Sequence, residues 1–198
     1  MKKQFAFITL ILFAVACHKP VTRKVIIMGR GKIVVSDQKV DMQDGTGYAE
    51  ESENIEGTEP ITWKITTPKG KSTVTIPEEK GTYILNLKKD TLVGSLQLVG
   101  LDISNQNVIT QEELKWKIDS LIKLTKGDNV EFGGRNYFIL PGQIIKISSN
   151  INAKIYGPFT LISNTIDTDD NNTMPEIYKF YTNTEMHQLI EKFKKMTH

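Results

Sequence analysis

Ile61-Thr62-Trp63-Lys64-Ile65-Thr66, then Pro68-Lys69-Gly70-Lys71, then Ser72-Thr73-Val74-Thr75-Ile76 decide the fold class of this chain. Apolar and polar residues alternate in the two outer segments, giving each one face for a core and one for water. Proline and glycine between them are turn chemistry. The β-branched side chains suit a pleated, half-buried surface. Working outward, Val25 to Met28 reads as a strand, Gly29-Arg30-Gly31 as a turn and Lys32 to Val35 as a second strand. On the other side, Pro77 to Gly81 reads as a turn and Tyr83 to Leu87 as a strand, with Leu92 to Val99 closing the series. Short strands with regularly spaced turns over residues 24–101 predict an antiparallel β-sandwich or barrel. One segment interrupts the pattern. Asp41 to Glu59 carries Asp41, Asp44, Glu50, Glu51, Glu53, Glu56 and Glu59, and reads as a long hairpin or a mobile loop. Such acidic runs are usually solvated surface; contact with a cation or a basic partner is the alternative.

The second half changes character. Asp102 to Asn107 is polar and reads as a linker. Thr110-Gln111-Glu112-Glu113 fits a capping box. Leu114, Ile118, Leu121 and Ile122 follow at helical spacing, and Gly127 ends the helix at Lys126. Asn136 to Leu140, Gln143 to Ser148 and Ala153 to Ile162 are strand-like, separated by Pro141-Gly142 and Asn150-Ile151-Asn152, and predict a three-stranded meander. A last helix starts at Thr182 with Glu185 as its capping partner and Met186, Leu189, Ile190 and Phe193 as its buried stripe. Residues 108–198 therefore read as a small helix–meander–helix unit, and the whole as α+β.

Glu79-Lys80-Gly81-Thr82-Tyr83-Ile84-Leu85 resembles the turn and strand that carry the tyrosine corner of immunoglobulin-like sandwiches. The resemblance implies that Gly81 makes a bend, that the Tyr83 hydroxyl bonds upstream backbone, and that Trp63 is a core tryptophan.

The N-terminus carries a different signal. Lys2 and Lys3 precede an apolar run from Phe5 to Ala16, broken only by Thr9, and Cys17 follows at once. A membrane-crossing helix needs roughly 20 apolar residues, so the run is too short to span and has the anatomy of an export signal. Ala14-Val15-Ala16-Cys17 resembles the lipobox of bacterial lipoproteins. That resemblance implies cleavage after Ala16, a signal peptide over 1–16, acyl chains on Cys17, and a tether over 17–23. It implies an address in the bacterial cell envelope, on the outer membrane facing the periplasm. Cys17 is the only cysteine, so disulfides, thiolate metal sites and cysteine nucleophiles are excluded.

Charge narrows the function classes. Without Lys2 and Lys3, the 25 basic residues fall to 23, equal to the 23 acidic ones. A neutral mature chain gives no global electrostatic case for nucleic acid. Gly70-Lys71-Ser72 looks like the end of a phosphate-binding loop, but Ile65 stands where its first glycine is needed. Asp167, Asp169 and Asn171 are spaced like the start of a calcium loop. Asn172 replaces the turn glycine there, and Tyr178 replaces the bidentate glutamate, which leaves these three as weak metal ligands. His18, His187 and His198 show no ligand spacing, and no G-x-S-x-G elbow exists. Glu112 and Glu113 are adjacent and point to different sides of a helix. No catalytic residue and no cofactor is expected. Lys192, Lys194 and Lys195 suit the C-terminal helix dipole, with contact to lipid or an acidic partner as the alternative. Tyr137, Phe138, Tyr156, Phe159, Tyr178, Phe180 and Tyr181 divide between core and surface; those outside would stack on a sugar or a peptide. The expectation is a non-catalytic, lipid-anchored binding or assembly module whose partners are the membrane and envelope proteins or glycans. The alternatives are an enzyme that processes envelope polymers through paired carboxylates, and a purely structural lipoprotein subunit.

Overall fold

A computed structural model describes residues 21–97, 110–127, 136–158, 160 and 175–197. Ten strands and two helices are described: β1 Val21–Ser36, β2 Lys39–Gly57, β3 Ile61–Thr67, β4 Gly70–Ile76, β5 Gly81–Asn86, β6 Leu92–Gln97, α1 Gln111–Thr125, β7 Asn136–Ile139, β8 Ile144–Ser148, β9 Lys154–Tyr156, β10 Ile177–Thr182 and α2 Asn183–Met196. They form a six-stranded sheet in the order β4-β3-β2-β1-β5-β8 and a four-stranded sheet in the order β7-β6-β10-β9. The chain is α+β with a sheet-rich N-terminal region. The linker expected at Asp102 to Asn107 lies outside the described residues.

The expected turn at Gly29-Arg30-Gly31 is not one. β1 continues through it, paired with β2 on both sides, and the register jumps from Arg30↔Tyr48 to Lys32↔Gln43. The four residues Asp44 to Gly47 stand against the single residue Gly31, an excess of three that makes a large bulge on β2. Gly31 has φ +90°, and a β-carbon on it would meet the Gln43 carbonyl, while one on Gly45 would meet the Gly31 Cα. The two backbones cross at a distance only glycine permits. The acidic run is thus the second arm of a hairpin whose tip, Asp37-Gln38, has both φ values positive, as a two-residue turn requires.

The bulge bends that hairpin back on itself. The Glu59 carbonyl accepts from the Arg23 guanidinium near the start of β1, and five residues later Lys64 N–H donates to Gln38 O at the hairpin tip. Five residues reach at most about 18 Å, whereas a straight strand from Arg23 to Ser36 would cover ~43 Å. Tip and base meet because the hairpin folds over at its glycines. The fold-over pairs β3 parallel with the start of β2, Lys64↔Lys39 to Thr66↔Asp41. β5 pairs parallel with β1, Arg23↔Gly81 to Met28↔Asn86. The sheet is therefore mixed, where an antiparallel one is expected, and it curls until its edge strands β4 and β8 approach each other, nearly as a barrel.

Alternation along β1 and β5 divides the core. Val25, Ile27, Tyr83 and Leu85 face the interior of the curled sheet with Trp63, Ile65, Val74 and Ile76. Ile26, Met28 and Ile84 face the other way, onto Leu92, Ile139, Tyr178 and Phe180 of the four-stranded sheet. The outer side of that sheet, through Val93, is covered by Leu114, Ile118 and Leu124 of α1 and Met186 and Ile190 of α2. Both helices begin at the expected threonines, each with a complete capping box to Glu113 or Glu185, and α1 is capped at Lys126 before Gly127 at φ +85°.

The expected meander does not form. β7 pairs with β6, β8 with β5 and β9 with β10. Each sheet therefore mixes strands from both sides of residues 98–109. The reason is burial: Ile139, Ile147 and Ile155 all enter the core between the sheets, which a flat meander with one wet face would not allow.

Candidate functional site

A polar cleft of about 600 Å³ lies at the seam of the two sheets. Lys146, Ile147 and Ser148 of β8 supply one wall, Ser149 and Asn150 of the following turn its lip, and Tyr137 of β7 and Glu176 the facing wall. Local chemistry holds each group. The Ser148 hydroxyl donates to the Glu176 carboxylate and accepts from Asn150 N–H at 2.9 Å. The Tyr178 hydroxyl donates to the same carboxylate oxygen at 3.1 Å. Thr82 Oγ1 donates to the Asn150 carbonyl at 2.7 Å, fixing the turn to β5. The Tyr137 hydroxyl donates to the Ile147 carbonyl at 2.5 Å, and its ring stands edge-on to Tyr178 with centroids 5.9 Å apart. At the mouth, Lys146 Nζ donates to Glu79 Oε2 at 2.7 Å. That bond and the ammonium charge hold the Glu79 carboxyl below its ordinary range. The arrangement offers acceptors, donors and one aromatic edge around an open space.

A second polar cluster lies where the bulged hairpin meets the start of α2. Lys88 is buried, with Nζ 3.8 Å from Glu185 Oε2 and 4.7 Å from the centre of the Tyr48 ring. No hydrogen bond reaches its ammonium among the described residues. Burial pushes its pKa down, and the Glu185 charge opposes that only in part. Burial and the 2.5 Å hydrogen bond to Glu50 push the Tyr48 hydroxyl upward. Arg30 stands 3.9 Å from the other Glu185 oxygen. Lys88 Nζ is sealed from solvent, and the cluster clamps the bulged hairpin, the link after β5 and the start of α2 together.

Arg23 is also fully buried, donating through Nη1 to the carbonyls of Glu59 at 2.8 Å and Pro77 at 3.0 Å. It ties the links before β3 and after β4 to the first strand.

The residues singled out from sequence fall as follows. Cys17 and His18, the three weak calcium ligands Asp167, Asp169 and Asn171, and His198 and Phe159 lie outside the described residues. Among the described residues, no three His, Cys, Asp or Glu side chains are placed to hold a metal ion. Gly70, Lys71 and Ser72 lie at a hairpin turn and in β4, paired with Thr67, Thr66 and Ile65 of β3. His187 is exposed on α2 and bonds its own helix at Asn183 O. Lys192 and Lys195 line a groove of about 470 Å³ with Thr184, His187, Gln188 and Glu191, and Lys194 pairs with Glu191 at 2.8 Å. Tyr178 and Phe180 are core, Tyr181 packs partly under α2, and Tyr137 alone of the aromatics reaches the cleft. Gly81 has φ +152°, the Tyr83 hydroxyl donates to the Glu79 carbonyl at 2.7 Å, and Trp63 is buried. Sequence reasoning missed Ser148, Glu176 and Lys88. Among the described residues, no helix is long and apolar enough to cross a membrane.

Comparison of the chain with known protein families, with curated proteins and with solved structures found no match.

Proposed function

We propose that this chain is a lipid-anchored protein of the bacterial cell envelope that acts as a non-catalytic binding or assembly module. The observation that carries the reading is the spacing of anchor and fold. β1 begins at Val21, four residues after Cys17, so at ~3.5 Å per residue the body starts within about 14 Å of the acylated cysteine. Two or more acyl chains hold firmly where one is reversible. A body without thiols is suited to export. Tethered so closely, it acts through a raised local concentration toward neighbours in the same layer. The address is the outer membrane, facing the periplasm. The Tyr83–Glu79 corner and the buried Trp63 support a distant likeness to immunoglobulin-like sandwiches, although the parallel pairings of β1 with β5 and β2 with β3 depart from it.

The test is mass spectrometry of the mature N-terminus, with metabolic labelling by a fatty-acid analogue in a Gram-negative host. Acyl mass on Cys17, lost in Cys17→Ser with accumulation of the uncut precursor, is the expected result. A mature chain starting elsewhere, or an unacylated Cys17, overturns it.

A further inference from the structure

The folded-over hairpin leaves a long sheet edge open. β2 is laddered to β1 on both sides of its bulge, but its other side meets β3 only at Lys39, Val40 and Asp41. Along residues 49–56, about 27 Å of strand, that side has no backbone partner among the described residues. Residues 50–54 are exposed at five consecutive positions, although Val25, Ile26, Ile27 and Met28, which stand opposite four of them, are buried. Both faces of β2 are therefore wet here, and the strand is held by its ladder to β1. Its free side turns alternate N–H and C=O groups outward, the template on which a further strand pairs.

Charge selects the occupant. Residues 41–59 carry seven acidic side chains and no lysine or arginine. Asp44 stands 4.0 Å from Lys89, and Glu50 accepts from the Tyr48 hydroxyl at 2.5 Å. Glu51, Glu53 and Glu56 make no ion pair among the described residues. Glu51 and Glu53 project from one face, opposite Ile27 and Val25, about 7 Å apart along the strand, and Glu56 projects from the other. Charges on an edge keep a sheet from pairing with its own kind, and here they do so by sign. A second copy on this edge sets two acidic strands side by side, which is destabilising. An apolar strand leaves the carboxylates unmatched. A basic strand is a backbone partner and a counter-charge at once, because a residue on an added strand lies only about 5 Å from the one it faces.

We propose that this edge is a strand-addition site that takes an extended basic segment of a partner protein, with lysine or arginine at alternate positions to meet Glu51 and Glu53. Backbone pairing supplies the affinity, and the alternation of side chains supplies the specificity. The proposal rests on the reading of the chain as a binding or assembly module and gives that module its class of partner. Gly57 pairs with Val21, so the edge starts at the end of the body where β1 begins and runs away from it.

The experiment is nuclear magnetic resonance on the full, amide-labelled, acylated chain in a detergent with neutral headgroups. The probe is a capped heptapeptide of alternating lysine and threonine, and spermine is the control that carries charge without a backbone. The expected result is saturable binding that shifts the amides of residues 49–56 and slows hydrogen exchange at alternate ones at least tenfold, with spermine unable to displace the peptide at equal concentration. Glu51 and Glu53 are exposed, so Glu51→Lys combined with Glu53→Lys should weaken binding at least tenfold while the melting temperature stays within about 2 °C. No saturable binding up to about 10 mM, ten times a weak dissociation constant of 1 mM, overturns the site. So do displacement by equal spermine, amide changes confined to other residues, or a double variant that binds like the native chain. A dimer of the chain alone in sedimentation, with the same amides protected, gives the edge to a second copy and overturns the basic partner. The anchor is read separately, by the mass of Cys17. An unacylated Cys17 in a chain that still binds the peptide refutes the anchor alone, and an acylated chain that binds none refutes the edge alone.

Discussion

Replacing Gly81 by alanine tests the corner where fold and cleft meet. Gly81 opens β5 at φ +152°, a conformation that side-chain-bearing residues enter only with strain. A β-carbon there would land on the carbonyl oxygen of Ser148 and also approach the Cε of Lys146. The lysine carbon can swing aside. The Ser148 carbonyl cannot, because it belongs to the backbone of the neighbouring strand. Strain of this kind costs on the order of 1–3 kcal/mol, and forced overpacking typically a further ~1–3 kcal/mol. Together they remove roughly 2–6 kcal/mol from a fold whose total stability is about 5–15 kcal/mol. For a chain of this size each kcal/mol lowers the melting temperature by about 2–4 °C. Thermal unfolding of Gly81→Ala, followed by circular dichroism, should therefore show a midpoint lower by roughly 5–20 °C, with Gly81→Val lower still. A Gly81→Ala midpoint within about 2 °C of the native value would refute the claim that the Ser148 backbone excludes a side chain here.

The clamp and the corner give the remaining predictions. Lys88→Met removes a sealed ammonium without a hydrogen bond and should be neutral or stabilising, whereas Glu185→Gln keeps the capping box but strands that charge, at about 3–5 kcal/mol measured in urea; the reverse order would show that the pair itself stabilises the fold. Burial holds the Lys88 pKa below its ordinary value, so between that value and about 10.4 the unfolded chain binds the extra proton and stability rises with pH. That rise should be absent from the pH profile of Lys88→Met, and a variant profile identical to the native one would refute the contribution. Tyr83→Phe deletes the 2.7 Å bond to the Glu79 carbonyl and should cost about 1 kcal/mol; an unchanged urea midpoint would make that bond incidental.

Much of the strand and helix content was legible because periodicity is local. Ile61 to Thr66, Ser72 to Ile76 and both capped helices lie where alternation and capping boxes place them. Pairing was not legible, for an identifiable reason. Gly29-Arg30-Gly31 carries the composition of a turn, yet the same glycines serve a strand that must bend and let Gly45 approach. A glycine reports freedom of the backbone and does not say whether the chain reverses or merely folds over. Once the hairpin folds over, parallel neighbours become possible across a short link, and a meander in the second half loses its place to strands with two buried faces. Central strands such as Tyr83 to Asn86, buried at every position, show no alternation that would distinguish one neighbour from another.

The cleft was hidden by the same non-local cause, and Lys88 shows it most sharply. Leu87-Lys88-Lys89-Asp90 gives two adjacent lysines in one turn, yet the Lys88 side chain is 2% exposed and that of Lys89 71%. Nothing in the local sequence separates them; the difference is made by Tyr48 and Glu185, 40 and 97 positions away. Ser148 is the parallel case. Ile144-Ile145-Lys146-Ile147-Ser148 reads as a plain apolar strand, but its pairing slips between Tyr83↔Lys146 and Thr82↔Ser148, leaving Ile147 as an extra residue. With a continuous register Ser148 would sit opposite Gly81, on the other face of the sheet, since a shift of one residue reverses every side chain. Ile147 lies in the core between the sheets, and the bulge places Ser148 opposite Thr82 and turns its hydroxyl toward Glu176. A polar wall at the seam therefore depends on a single unpaired residue, and a bulge of that kind re-aims a side chain without leaving a mark in composition.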